Sequence, residues 1–323
     1  MYSVVRFLAI SAIGVLSAST VIAAPEGARF PQSPIEITVL FPAGSSADVT
    51  ARLLADGMSK HLGTSVIVIN RAGAGGAIGY RHVAGQKPDG YSLVWNSNSV
   101  STTYHSGMLQ FGYDAFEPVA RVLFESPVLA VRSETKWKSV ADFIADAKSQ
   151  PKTITVANSG VGSHTHISSV ALFKTAGAEV IDVPFGAAQV VPSLLGSQVN
   201  AAVQLPASLL GNVQSGEVRL LATLTSKRDP AFPQVSTARE QGFDVALEAW
   251  RGIAAPKGTP GTIIATLEDA IRKTVQSKEF AMATEHIGAR PAFLPATEFG
   301  ELIAKEDEEL SRLMGIIGLK KTR

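Results

Sequence analysis

The chain contains no cysteine. It therefore forms no disulfides and cannot be lipidated at a lipobox cysteine. Charged residues are also sparse, at 18%, which speaks for a well-packed globular protein rather than a disordered one. Basic and acidic side chains nearly balance, 29 against 28, and no basic run would track a phosphate backbone, so nucleic acid is not an expected partner. Beyond the N-terminus no apolar run reaches the roughly 18 residues that a membrane span needs. Several catalytic signatures are missing. There is no G-x-S-x-G elbow, no H-E-x-x-H, and no Gly-Lys-Ser/Thr after a glycine-rich loop. The six histidines offer little in their place. His164 and His166 are two apart and cannot share a helix face as metal ligands usually do. His61, His82, His105 and His286 read as surface or packing residues. Neither a metal nor a cofactor is expected.

What is present begins with "MYSVVRFLAISAIGVLSASTVIAAPEG". Arg6 precedes an apolar run from Phe7 to about Leu16, and Val21-Ile22-Ala23 fits the small-x-small rule of signal peptidase. Residues 1–23 thus read as a secretory signal, cut after Ala23, because a cut after Ala24 would leave Pro25 just past the scissile bond. The mature chain is expected in the periplasm, without stable membrane insertion, as a monomer. About 300 residues remain, which favours two domains over one.

Apolar β-branched runs alternate with helix-like segments throughout. Strands are expected at "EITVLFP", "SVIVIN", "SLVWNS", "TITVANS", "VIDVPF", "NAAVQLP" and "VRLLATLT", with helices between them and three more at about 260–276, 278–287 and 297–316. The runs are apolar on both faces, as buried parallel strands are, so the fold class is α/β with two doubly wound domains. A longer β-rich run at 119–132 and a second one, "VALEAWRGIAAP", read as crossings between them. That assigns 24–125 plus 245–323 to one domain and 126–244 to the other, with a ligand cleft between.

The stretch "VIVINRAGAGGAIGYRHVAGQKPDGYSLVW" holds four glycines in seven residues and resembles a dinucleotide loop at first sight. The fingerprint wants G-x-G-x-x-G after the first strand and an acidic residue about 20 positions on. Here Gly73, Gly75, Gly76 and Gly79 put the last glycine one residue late, and the loop follows the second strand. The next strand ends in Asn96 and Ser97 rather than an acid. The expected role is a tight turn and close helix–sheet packing.

Two other strand-to-helix turns carry more chemistry. One is "FPAGSSADVTARLL", with Gly44, Ser45, Ser46 and Asp48. The other is "VANSGVGSHTHISSVALF", with Ser159, Gly160, Gly162 and Ser163. A helix start presents unsatisfied N–H groups and about half a positive charge, so it suits a carboxylate without any Arg or Lys. The pair would place two such surfaces across the cleft. Ordinary N-capping by Ser or Asp is the alternative for either turn alone. Asp48 either favours the helix dipole or orients neighbouring N–H groups or a water. His164 could reach the cleft as a donor. Arg251, in "EAWRG", is the one cation near the region between domains, and a surface position is expected for it.

With these turns in hand, the chain resembles the solute receptors of tripartite tricarboxylate transporters, the Bug receptors. The matching stretches are "FPAGSSADVTARLLADGMSKHLG", the glycine-loop stretch through "PDGYSLVW", "FEPVARV", "VANSGVGSHTHISSVALF", "VPFGAAQVVPSLLGSQVNAAV", "GEVRLLATLTSKRDPAFPQVSTAREQGF" and "WRGIAAPKGTP". They run in order from about Pro34 to the C-terminus. The resemblance implies a periplasmic receptor of the type II binding-protein kind, whose domains close on a small organic acid and present it to a two-component membrane permease. It implies a scaffold role for the glycine loop. It also implies a site lined by Phe41, Ala43, Gly44, Ser45, Ser46, Ala47 and Asp48 on one side. Ser159, Gly160, Gly162, Ser163, His164 and Thr165 face them, and Ser97, Phe185, Gly186 and Gln204 complete the wall. The chain departs from its relatives where they often read Val-Pro-Tyr-Lys-Gly; here the stretch is "VPFGA". Relatives also commonly carry an Asp near the position of Gln204. Without that carboxylate a ligand ammonium has no evident partner, so unaminated mono-, di- or tricarboxylates, including aromatic ones, are expected over amino acids. Two alternatives remain: a receptor that signals to a sensor kinase, and a secreted α/β enzyme using Ser163 and His164.

Overall fold

The computed structural model describes residues 30–321. The expected signal segment therefore lies outside the described residues. From the first strand the chain alternates: β1 (Ile35–Val39), α1 (Ser46–Leu62), β2 (Val66–Asn70), α2 (Ala77–Ala84), β3 (Ser92–Ser97) and α3 (Ser99–His105). β4 (Phe116–Glu125) then leads through Ser126 and Pro127 into β5 (Val128–Arg132). The second series is α4 (Val140–Ser149), β6 (Thr155–Asn158), α5 (His164–Ala176), β7 (Ile181–Pro184), α6 (Val190–Leu195), β8 (Ala201–Gln204), α7 (Leu210–Gln214) and β9 (Val218–Thr223). The chain returns along β10 (Ala249–Pro256) and closes with α8 (Gly261–Val275), α9 (Lys278–His286), β11 (Ala289–Pro295) and α10 (Ala296–Ile317).

Two sheets result. The first has the order β11-β4-β10-β3-β1-β2 and the second β7-β6-β8-β5-β9. Each has a parallel core, β2-β1-β3 and β7-β6-β8. The crossing strands run the other way: β10 is antiparallel to β3 and β4, and β5 is antiparallel to β8 and β9. The sheets are therefore mixed, where the apolar runs had suggested purely parallel ones. Burial on both faces is the common cause of that sequence signal. In β5, Leu129 and Val131 pack with α4 and α5 on one face, while Val128 and Ala130 pack with α6 on the other.

The helices follow ordinary amphipathic logic. α1 turns Ala47, Ala51, Leu54, Ala55 and Met58 inward at helical spacing. Two elements escaped the sequence pattern. α3 reads "SVSTTYH", polar and β-branched, with no apolar stripe to announce it. β11 carries Pro291 and Pro295, which an edge strand tolerates because its outer N–H groups need no partner. The last helix joins the two halves. Phe299 and Ile303 pack under Trp250 of the first sheet, and Met314 and Ile317 pack on Ile167 of α5. Among the described residues no helix is long and apolar enough to cross a membrane.

Candidate functional site

The two glycine–serine turns are near copies of one another. Gly44 and Gly162 both have φ +78, in the left-handed region that glycine enters without penalty. The following residues, Ser45 at φ −71, ψ 158 and Ser163 at φ −70, ψ 159, are the N-caps of α1 and α5. Each cap hydroxyl accepts from the N–H three residues on, Asp48 at 3.3 Å and His166 at 3.2 Å. That leaves the first two N–H groups of each helix, those of Ser46 and Ala47 and of His164 and Thr165, without an acceptor among the described residues.

These four donors belong to residues lining one small cavity between the sheets. Its wall brings together Phe41, Ser45, Ser46 and Ala47 from the first turn and Ser159, Ser163, His164 and Thr165 from the second. Ser97, at the end of β3, and Gln204, at the end of β8, complete it. Gln204 fixes the second turn: its Oε1 accepts from the Ser159 hydroxyl at 3.1 Å and the Leu205 N–H at 2.9 Å. Thr165 does the same from its own helix, accepting the Ser159 N–H at 3.0 Å.

Several residues expected at the site lie elsewhere. Ala43 and Gly44 are exposed. Gly160, Phe185 and Gly186 line a neighbouring recess along the glycine loop. The Gly160 N–H is spent on Asn158 Oδ1 at 3.1 Å, and that of Gly162 on His166 Nδ1 at 3.2 Å. Gly162 instead ties the halves together, its carbonyl accepting from the Thr102 hydroxyl at 2.5 Å.

Asp48 points away from the cavity and braces the first turn. Its carboxylate accepts from the Gly44 N–H at 3.0 Å, Asn70 Nδ2 at 2.9 Å and Arg52 at 2.8 Å. Burial pushes this carboxyl up, but the hydrogen bonds from Arg52, Gly44 and Asn70 outweigh it and hold the group below the usual carboxylate range. Of the two roles weighed for Asp48, the geometry is that of a residue orienting its own turn. Asn70 also donates to the Phe41 carbonyl at 2.9 Å, so the glycine-loop strand and the first turn are one unit.

The glycine loop works by close approach. A Cβ on Gly75 would meet the Val161 carbonyl at 2.7 Å, where the second half comes against the first. One on Gly79 would meet Leu40 at 2.7 Å, the helix–sheet contact expected from the sequence.

His164 is buried and uncharged. Burial, helped by the nearby Arg251 charge, pushes its ring down to about 3, against an opposing bond to the Glu248 backbone. It therefore acts as a neutral link to the return crossing, with Ser168 Oγ 3.4 Å from its Nδ1. Together with Ser163 it makes no catalytic pair, since the Ser163 hydroxyl is engaged in capping and faces Thr165 at 3.1 Å.

The residue sequence reasoning misplaced is Arg251. It is only 4% exposed, lines the cavity from β10 and pairs through Nε with Glu125 Oε2 at 3.0 Å. Glu125, at the end of β4, is wholly buried, and its other oxygen accepts from the Ser46 hydroxyl. Burial pushes the Glu125 carboxyl up, opposed by the Arg251 charge and hydrogen bond. The signal available was position: both residues end up in crossing strands, at the junction of the two sheets. Among the described residues no cluster of three or more His, Asp or Glu could hold a metal ion.

Comparison with known proteins agrees with this architecture. The profile of the tripartite tricarboxylate transporter family receptor, TctC, matches residues 50–319. Protein BugT of Bordetella pertussis is 34% identical over 319 residues, covering 97% of this chain and 96% of BugT. Among solved structures, Rpa4515 of R. palustris with adipate superposes with a TM-score of 0.84 at 26% identity, covering 90% of this chain and 98% of that one. MatC from Rhodopseudomonas palustris with bound malate gives a TM-score of 0.82 at 26% identity, covering 88% and 99%. With its two α/β halves and its paired helix starts, the chain belongs to the tripartite tricarboxylate transporter receptor (TctC, Bug) family of solute-binding receptors and is not an enzyme.

Proposed function

We propose that this receptor captures a small carboxylate between its two halves in the periplasm and, as a monomer, presents it to a two-component membrane permease. The observation that carries the reading is the set of four free N–H groups, from Ser46 and Ala47 on one side and His164 and Thr165 on the other, lining a single cavity. Two helix starts with about half a positive charge each suit one carboxylate, each start taking one oxygen. Closure of the halves on the ligand then gives the permease a form it can tell from the empty one. Malate and adipate, held by two relatives of the same fold, support a carboxylate as the ligand. The turn residues Phe41, Ser45, Ser46, Ala47, Ser159, Ser163, His164 and Thr165 form the site in this reading, with Ser97 and Gln204 as walls.

Thermal unfolding against a panel of acids tests it. The panel holds C4–C6 dicarboxylates, tricarboxylates, monocarboxylates, aromatic acids and amino acids, with nicotinamide nucleotides as control. A ligand at 100 times its Kd adds about 2.7 kcal/mol, enough for a shift of several degrees. A shift with one acid class and none with nucleotides is expected. A shift with nucleotides alone would hand the glycine loop a cofactor role and remove this reading.

A further inference from the structure

We infer that the Glu125–Arg251 pair restricts this receptor to singly charged ligands: a monocarboxylate with a neutral oxygen acceptor is preferred over a dicarboxylate. The inference rests on the carboxylate-receptor reading above and narrows its ligand class.

Among the described residues, Arg251 is the one cationic side chain in the cavity wall. Only its Nε is engaged, with Glu125, while its two terminal nitrogens have no acceptor among the described residues. A guanidinium with that free edge offers paired N–H donors in a fixed plane. The Phe41 ring flanks it, with the guanidinium carbon 5.8 Å from the ring centre. Taken alone, this would be a second carboxylate site.

Glu125 changes the balance. It sits behind the wall, wholly buried, and both of its oxygens accept hydrogen bonds, one from the Ser46 hydroxyl and one from Arg251. The Arg251 guanidinium at 3.0 Å opposes the burial and favours the ionised form, since a neutral Glu125 would leave the guanidinium charge buried without a counter-ion. The protein has thus already neutralised, through Nε, the charge that a second ligand carboxylate would pair with at the terminal nitrogens. What stays uncompensated is the field of the two helix starts, about half a charge each, which matches one anion. A carbonyl, amide or hydroxyl oxygen can still accept from the free edge of Arg251. A second carboxylate there would meet an already neutralised cation with Glu125 just behind it.

Matched pairs of acids test the charge rule on the full mature chain. Succinate is compared with succinamate, and adipate with its monoamide, by calorimetric titration at pH 8, where both diacids are fully ionised. The monoamide of the pair that fits is expected to bind at least about tenfold tighter than its diacid, since like-charge juxtaposition in a closed site is costly. Glu125→Gln removes the internal charge at nearly constant shape, and the ratio is expected to move at least about tenfold toward the diacid. A diacid that binds wild type as tightly as its monoamide overturns the inference, as does a ratio unchanged in Glu125→Gln. The wild-type comparison decides even if the Gln variant does not fold. Failure of every acid, single or double, to bind would instead remove the carboxylate reading on which the inference stands.

Discussion

Asp48 is the residue whose role is easiest to mistake, and replacing it separates bracing from ligand contact. Its carboxylate takes three donors: the N–H of the exposed Gly44, Nδ2 of the half-buried Asn70, and Arg52, whose side chain is half exposed. Losing the first two hydrogen bonds costs roughly 0.5–1.5 kcal/mol each, since both donors can turn partly to water. The Arg52 pair, being solvated on one side, adds only about 0–0.5 kcal/mol. Asp48→Ala is thus expected to lose about 1–3 kcal/mol, or about 2–6 °C in Tm for a chain of this size. It should also weaken acid binding, because the turn holding the Ser46 and Ala47 N–H groups loses its brace. Asp48→Asn keeps an acceptor and should recover part of the loss. The pH dependence has a definite sign. The folded-state pKa is depressed, so the stabilisation is complete above the unfolded value of about 3.9 and disappears as pH falls through the folded one. Wild type and Asp48→Ala should therefore converge in stability on acidification below about pH 4. Circular-dichroism melts and calorimetric titration read both effects. An Asp48→Ala variant that keeps its Tm and binds acids more tightly would refute this reasoning, since that is how a carboxylate facing the ligand behaves.

Gly75→Val would place a side chain where the Val161 carbonyl now lies, 2.7 Å from an ideal Cβ. It is expected to prop the halves apart and weaken ligand binding by at least about tenfold, with a larger radius of gyration in the liganded state by X-ray scattering. His164 and Glu306 should pull the pH profile of stability in opposite directions. The His164 ring, pushed down to about 3, stabilises above its unfolded pKa of about 6.5 and loses that contribution as pH falls. Glu306 accepts from Trp250 Nε1 and Asn98 Nδ2. Burial, with help from Glu309, pushes it up to about 7, so its contribution is present below about pH 4.5 and fades as pH rises toward 7. Between about pH 4.5 and 6.5 each slope is about 1.4 kcal/mol per unit. Chemical denaturation of His164→Gln should show stability rising on acidification, and Glu306→Gln the reverse. Equal slopes in both variants would mean that neither group is shifted in the folded protein.

Much of this site could be read in the sequence because it is built locally. A glycine, a capping serine and the first helical turn span only a few residues, and the chain spells that unit twice, at Gly44-Ser45 and Gly162-Ser163. The glycine loop was legible as scaffold for a similar reason: its spacing and its place after the second strand did not suit a nucleotide. Pairings distant in sequence were not legible. Glu125 and Arg251 are 126 residues apart and meet only because β4 and β10 run antiparallel side by side, an arrangement hidden by apolar runs that look the same in parallel and antiparallel strands. Gly160 fits the pattern of an anion-binding glycine, yet its N–H turns to Asn158 through a side-chain bond that no spacing announces. α3 was missed because its polar, β-branched residues carry no helical period, and β11 because prolines normally argue against a strand.

The most direct test of the central claim is an amide NMR titration of ¹⁵N-labelled residues 24–323 with adipate and its monoamide. If a carboxylate is held by the two helix starts, the N–H resonances of Ser46, Ala47, His164 and Thr165 should move downfield together, with one binding constant. Saturating shifts confined to the glycine loop, or to residues of only one half, would contradict the account.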